Sequence, residues 1–152
     1  MAAVQIVTAH RADPRLTSLL TAAVDELNAR YPEDPTSHDL DPRARFLVAD
    51  VAGRAAGCVA LVPLEPAVGE VRRMFVAPSF RGRGVATRLL AGLESRARAA
   101  GMAKLVLETG IRQPESVALY EKAGFGPVAP YGGHVGNPLS LCFAKNLSDG
   151  GA

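Results

Sequence analysis

The segment Arg81-Gly82-Arg83-Gly84-Val85-Ala86 holds the residue types most suited to gripping a ligand. It lies between an apolar run ending Met74-Phe75-Val76 and an amphipathic run beginning at Val85. A strand, a short basic loop and a helix start make a backbone site for phosphate. The first N–H groups of a helix have no partner inside it, and the aligned peptide dipoles put partial positive charge there. Gly82 and Gly84 carry no Cβ, so an anion can approach the main chain closely. Arg81 and Arg83 add full charges and planar donors. Two familiar phosphate loops do not fit. The chain has no Gly-Lys-[Ser/Thr], which speaks against a nucleotide-hydrolysing P-loop. Gly82-Arg83-Gly84 runs into Val85-Ala86-Thr87, and no opening βαβ unit precedes it, so the dinucleotide fingerprint fails as well.

The elements that must position this loop follow from periodicity. Val4 to Thr8 reads as a first strand. Asp13-Pro14 offers an N-cap and a proline at the first helical position, and Leu16, Leu19, Leu20, Ala23 and Leu27 continue at helical spacing to about Arg30. Tyr31 to Pro42, with three prolines and four acids, reads as loop. Arg45–Val51 and Ala55–Val62 form an antiparallel hairpin around Ala52-Gly53-Arg54. A third strand spans roughly Ala67 to Val76. The helix from Gly84 puts Val85, Leu89, Leu90, Leu93 and Ala97 on one face, pairs Glu94 with Arg98, and stops at Gly101. Lys104–Thr109 is a strand expected to run parallel to the third one, because it follows a strand and a helix. Pro114 opens a short helix that ends at Gly124, and the strand-like Pro127–Ala129 and Leu139–Ala144 finish the chain.

Composition sets the class. At 152 residues the chain fits one domain, residues 1–152, with 148–152 as a frayed tail. Hydrophobic residues make up 48% and charged residues 21%, as in ordinary globular proteins and unlike disordered ones. A formal charge of +2 is too small to argue for nucleic acid. Cys58 and Cys142 sit inside apolar runs without metal-ligand spacing, and read as buried free thiols with no metal site. No signal core and no membrane-length apolar stretch is present, so a cytoplasmic protein without a membrane partner is expected.

Three segments together resemble the GNAT N-acetyltransferases: Glu70–Pro78 as the strand before the loop, Arg81–Ala86 as the loop, and Ala118-Leu119-Tyr120-Glu121-Lys122-Ala123-Gly124-Phe125 as the helix after the next strand. The resemblance implies a mixed α/β fold with a mostly antiparallel sheet, one splayed parallel pair and flanking helices. It implies acetyl-CoA as cosubstrate. The pyrophosphate would be held by N–H groups around Arg81, Gly82, Arg83, Gly84, Val85, Ala86 and Thr87, and the acetyl oxygen by a backbone N–H near Val76 or Phe75, with Met74 a further cofactor contact. Tyr120 takes the place of the family's proton donor to the departing thiolate, against the bland reading of a core tyrosine. Ser116, one turn earlier, faces the same side.

An ammonium must lose its proton before it can attack a thioester. Glu70, 11 residues before Arg81, stands where some family members keep a glutamate base acting through water. The bland reading pairs it with Arg72 or Arg73. His134 and His38 are alternative bases. Tyr31, His38, Glu70, Tyr131 and His134 are candidate acceptor contacts, and the loop acids Glu33, Asp34, Asp39 and Asp41 could draw in a cation. The acceptor stays open among small amines, amino-acid derivatives, antibiotics and protein lysines, and the chain among monomer and homodimer. Two other functions fit the same residues: an acyl-CoA sensor without transferase activity, and a basic-loop nucleic-acid binder built on Arg72, Arg73, Arg81, Arg83 and Arg88. Aromatic residues, at 5%, are few for base stacking, which weighs against the second.

Overall fold

The computed structural model describes residues 3–147; the tail expected at 148–152 lies outside them. The described residues form a seven-stranded sheet with three α-helices. In chain order the elements are β1 (Val4–Ala9), α1 (Pro14–Arg30), β2 (Arg45–Val51), β3 (Arg54–Glu65), β4 (Val68–Val76), α2 (Val85–Ala99), β5 (Lys104–Gly110), α3 (Pro114–Lys122), β6 (Gly126–Val128) and β7 (Ser140–Asn146). The strands lie in the order β1-β2-β3-β4-β5-β7-β6. Among the described residues only β4 and β5 are parallel neighbours; the other pairs are antiparallel. This is the mixed sheet expected from the sequence. Among the described residues no helix is long and apolar enough to cross a membrane.

Each face of the sheet has its own core. Leu16, Leu19, Leu20 and Ala23 of α1 pack on Phe46, Val48, Cys58, Ala60 and Phe75. Asp13 caps that helix through its side chain, which accepts from the Arg15 N–H at 2.9 Å. On the opposite face Val85, Leu89, Leu90, Leu93 and Ala97 of α2 pack on Leu61, Val71, Leu105, Leu107 and Phe143. Leu89 and Leu93 have no exposed surface. Burying one such leucine side chain contributes about 1.5–3 kcal/mol, so α2 is fixed to the sheet by its stripe.

Strand ends differ from the sequence reading where pairing overrides local composition. β3 continues past Val62 through Pro63 to Glu65, because Pro63 lies opposite Gly69 next to a register shift where a missing donor is tolerated. β7 runs to Asn146 because β5 supplies partners as far as Lys104.

Two irregularities in β4 shape the site. Cys58 pairs with Phe75 and Ala60 with Arg72, so two β4 residues, Arg73 and Met74, oppose Val59 alone. This bulge places Arg73 at φ 58°, a left-handed conformation rare for arginine. The second irregularity is a splay. Pairing of β4 with β5 runs from Val68↔Lys104 to Val71↔Leu107 and then ceases, although both strands continue.

Candidate active site

The splay opens into a cleft of about 710 Å³ that reaches from the start of α2 to the loop after β6. Its lining brings together Glu70, Met74, Phe75 and Val76 of β4, Gly82 and Gly84 of the loop, Val85, Ala86 and Thr87 of α2, and Ser116 and Tyr120 of α3. Tyr31 and His134 also line it. Tyr131 lies behind this surface, with its hydroxyl donating to Glu70 Oε2. His38 stands apart, exposed and 3.9 Å from Asp25. Arg83 is outside the lining and leans over the Phe80 ring, 5.6 Å from its centroid.

The loop is built for an anion. Arg81 N–H donates to Pro78 O, and the first α2 bond runs from Arg88 N–H to Gly84 O. Between them, no N–H from Gly82 to Thr87 donates to an acceptor among the described residues. Gly82 and Gly84 both have φ of 77°, and a Cβ at either would meet nothing within 4 Å. Glycine is therefore required there for backbone conformation, with open space above the loop. Positive φ in such a turn lets successive N–H groups converge on one concavity.

The Arg81 guanidinium is used internally. Its Nε donates to Val76 O at 2.9 Å, Nη2 donates to Glu26 Oε2 at 2.7 Å, and the group lies over Phe75 at 5.5 Å. It ties the end of β4 to α1. The positive field on the loop therefore comes chiefly from backbone and helix start.

The β4 backbone aims one donor into the splay. Ala77 N–H donates to Ala56 O on the β3 side. Strand alternation then points the Phe75 N–H the same way and turns the Val76 N–H toward the gap left by β5.

Tyr120 is 6% exposed and makes an edge contact with Phe125, the centroids 5.7 Å apart. Burial raises its phenol above the usual tyrosine range, so it keeps its proton and has an O–H to donate. Its hydroxyl makes no side-chain hydrogen bond with the described residues, while no buried side-chain polar atom among them lacks a partner. That hydroxyl therefore faces the cleft.

Glu70 is 6% exposed and held from three directions. Tyr131 donates to Oε2, Arg72 Nε lies 3.5 Å from Oε1, and His134 Nε2 lies 3.9 Å from Oε2. Burial, then the bond to Glu70, raise the Tyr131 phenol as well. The ion pair with Arg72 and the cleft position thus occur together.

Glu108 is a cleft residue that the sequence did not single out. Its Oε2 accepts from Ser140 Oγ at 2.6 Å, and both residues line the cleft. A run Leu107-Glu108-Thr109 looks like any strand end, so only the splay reveals its position. Of the loop acids, Glu33 is clamped by Arg112 and Asp41 by Arg43, which hold both carboxyls down at about 2. Asp34 lines the cleft and accepts from Asn137.

The model of the acetyltransferase (GNAT) family matches residues 10–125, well over half of the chain. The chain belongs to the GNAT acetyltransferase family. A relative from Azospirillum brasilense named IAA acetyltransferase is 41% identical over 152 residues, which cover 93% of this chain and 98% of that protein. A Klebsiella pneumoniae structure described as a candidate acyl-CoA N-acyltransferase superposes with a TM-score of 0.81 at 32% identity, covering 95% of this chain and 97% of the other. A GNAT family acetyltransferase from Elizabethkingia anophelis, solved with acetyl-CoA bound, has a TM-score of 0.72 at 21% identity over 95% and 98% of the two chains. At that identity the likeness is one of fold.

Proposed function

We propose that this GNAT acetyltransferase moves an acetyl group from acetyl-CoA to a primary amine of a small molecule or peptide, by direct attack in a ternary complex. One observation carries the reading: the free N–H row of Gly82–Thr87, the splay, Tyr120 and Glu70 all open onto one cleft. The row from Gly82 to Thr87 suits the pyrophosphate, and Met74–Val76 suit the chain leading to the thioester. Ser116 is placed to hydrogen-bond the same ligand.

Each residue then has a defined task. Val76 N–H stabilises the negative charge that develops on the acetyl oxygen. Glu70, oriented by Arg72 and Tyr131, takes the amine proton, directly or through water. The amine nitrogen forms the new bond to the acetyl carbon, the carbon–sulfur bond breaks, and its electron pair stays on sulfur. Tyr120 hydrogen-bonds that thiolate and passes it a proton, which solvent in the open cleft replaces on the phenolate. Because burial raises the phenol, while a thiol has a pKa of roughly 8.5, complete transfer is uphill unless it accompanies departure. The hydrogen bond itself is the larger contribution. His134 stands close enough to pass the proton outward from Glu70, and Tyr31 and Asp34 border the acceptor end.

Direct attack also suits the cysteines. Cys58 has no exposed surface and burial pushes its thiol up to about 12; Cys142, 4% exposed, is raised too. Neither offers a thiolate for an acetyl-enzyme. The test is the pH–rate profile of Glu70→Gln. The reading requires loss or displacement of the rising limb seen in the parent. An unchanged profile would remove Glu70 as the base.

A further inference from the structure

Resting on the transferase reading above, we propose that the acceptor is an amino carboxylate, an amine carrying its own carboxylate, gripped between Arg72 and Glu108. The register places these two residues. Val71↔Leu107 is the last pair joining β4 to β5, so Arg72 and Glu108 are each one step beyond it, one on either side of the opening gap. Residues two apart on a strand share a face. Arg72 therefore projects with Glu70, and Glu108 with Val106, which pairs with Glu70. Arg72, Glu70 and Glu108 all line the cleft.

The two charges are opposite and do not meet. No ion pair joins Arg72 to Glu108 among the described residues, although each has another partner. Arg72 approaches Glu70 through Nε at 3.5 Å, and neither of its terminal nitrogens makes a hydrogen bond to a side-chain or backbone acceptor among the described residues. A guanidinium edge of this kind matches a carboxylate with two parallel hydrogen bonds. Glu108 gives only Oε2 to Ser140, and its second oxygen can accept from an ammonium. A ligand bridging the gap with its carboxylate on β4 and its nitrogen on β5 lies across the splay into which Val76 N–H points. Its nitrogen is then beside the place where the thioester is delivered, with Glu70 on the same face to take the proton. A simple amine would leave the Arg72 edge unmatched, and an anion without an amine would face Glu108.

The experiment compares amino acids with their decarboxylated amines and their amides, both as acetyl acceptors and as ligands titrated calorimetrically into the protein saturated with CoA. The amino acid should show kcat/KM and affinity at least about tenfold higher than its decarboxylated amine, as expected for one charge-assisted pair. Arg72→Gln should bring that ratio near one, and Arg72→Lys, which keeps the charge, should restore part of it. Glu108→Gln should weaken binding of both ligands. Turnover with no preference for the carboxylate, or a ratio untouched in Arg72→Gln, overturns the proposal and leaves acetyl transfer standing. Discriminating binding without turnover of any acceptor supports the proposed grip and overturns the transferase reading instead. Neither binding nor turnover overturns both.

Discussion

Replacing Gly84 with alanine perturbs the anion-facing loop without removing a charge or filling a cavity. Gly84 has φ 77° and ψ 16°, and the added Cβ would meet nothing within 4 Å. The cost is therefore conformational. Holding an L-residue in the left-handed region costs about 1–2 kcal/mol. Stiffening the unfolded chain returns about 0.4–1 kcal/mol of that. A net loss near 1 kcal/mol lowers Tm by only about 2–4 °C in a chain of this size. Binding should suffer more. If the loop relaxes toward negative φ, the N–H groups between Gly82 and Thr87 no longer converge, and a charged hydrogen bond contributes roughly 1.5–3 kcal/mol. Losing one raises the CoA dissociation constant about tenfold or more. Calorimetric titration with CoA measures this, and inhibition by pantetheine, which lacks the pyrophosphate, provides the control. The account expects weaker CoA binding with pantetheine inhibition within about twofold of the parent. An unchanged CoA affinity, or an equal loss for both ligands, would refute the assignment of the loop to phosphate.

Four further outcomes follow from the structure. Tyr120→Phe keeps the edge contact with Phe125 and removes only the hydroxyl, so turnover should fall about 10²-fold while acetyl-CoA affinity holds; steady-state kinetics and titration separate the two. Gly110→Ala would drive a Cβ into the Tyr31 hydroxyl, which accepts from Arg112 N–H at 2.8 Å. Thermal or urea unfolding should register a loss of about 1–3 kcal/mol. Cys58 and Cys142 should resist Ellman's reagent at pH 8 in the native protein and react on unfolding. Because the folded Cys58 thiol is raised to about 12, the unfolded chain alone releases that proton above roughly pH 8.5. The contribution of this group thus makes stability fall as pH rises from there, which urea titrations across pH can measure.

Local signals made much of the fold legible. Asp13-Pro14, the leucine stripes of α1 and α2, Gly101 at φ 81° and the Ala52-Gly53 turn each act within a few residues, so their physics is contained in the sequence around them. The parallel step from β4 to β5 followed from a strand-helix-strand order. Long-range pairing was not legible. Nothing local places β7 between β5 and β6, or extends β3 through Pro63. At the site, the loop glycines could be read, but not that Arg81 would spend its guanidinium on Glu26, which lies 55 positions away. The bulge at Arg73 has no residue signal, since arginine does not favour positive φ. Glu108 becomes conspicuous only when β4 and β5 part beside it, and the hydrogen bond from Tyr131 to Glu70 only when its loop folds back.

The most direct test of the central claim is an initial-rate study with acetyl-CoA and an amine varied together, with the N-acetyl product identified by mass. Direct attack in one cleft predicts N-acetyl product, intersecting reciprocal plots and no acetylated protein. Parallel plots with acetyl groups on the protein, or tight CoA binding without transfer to any amine, would contradict it.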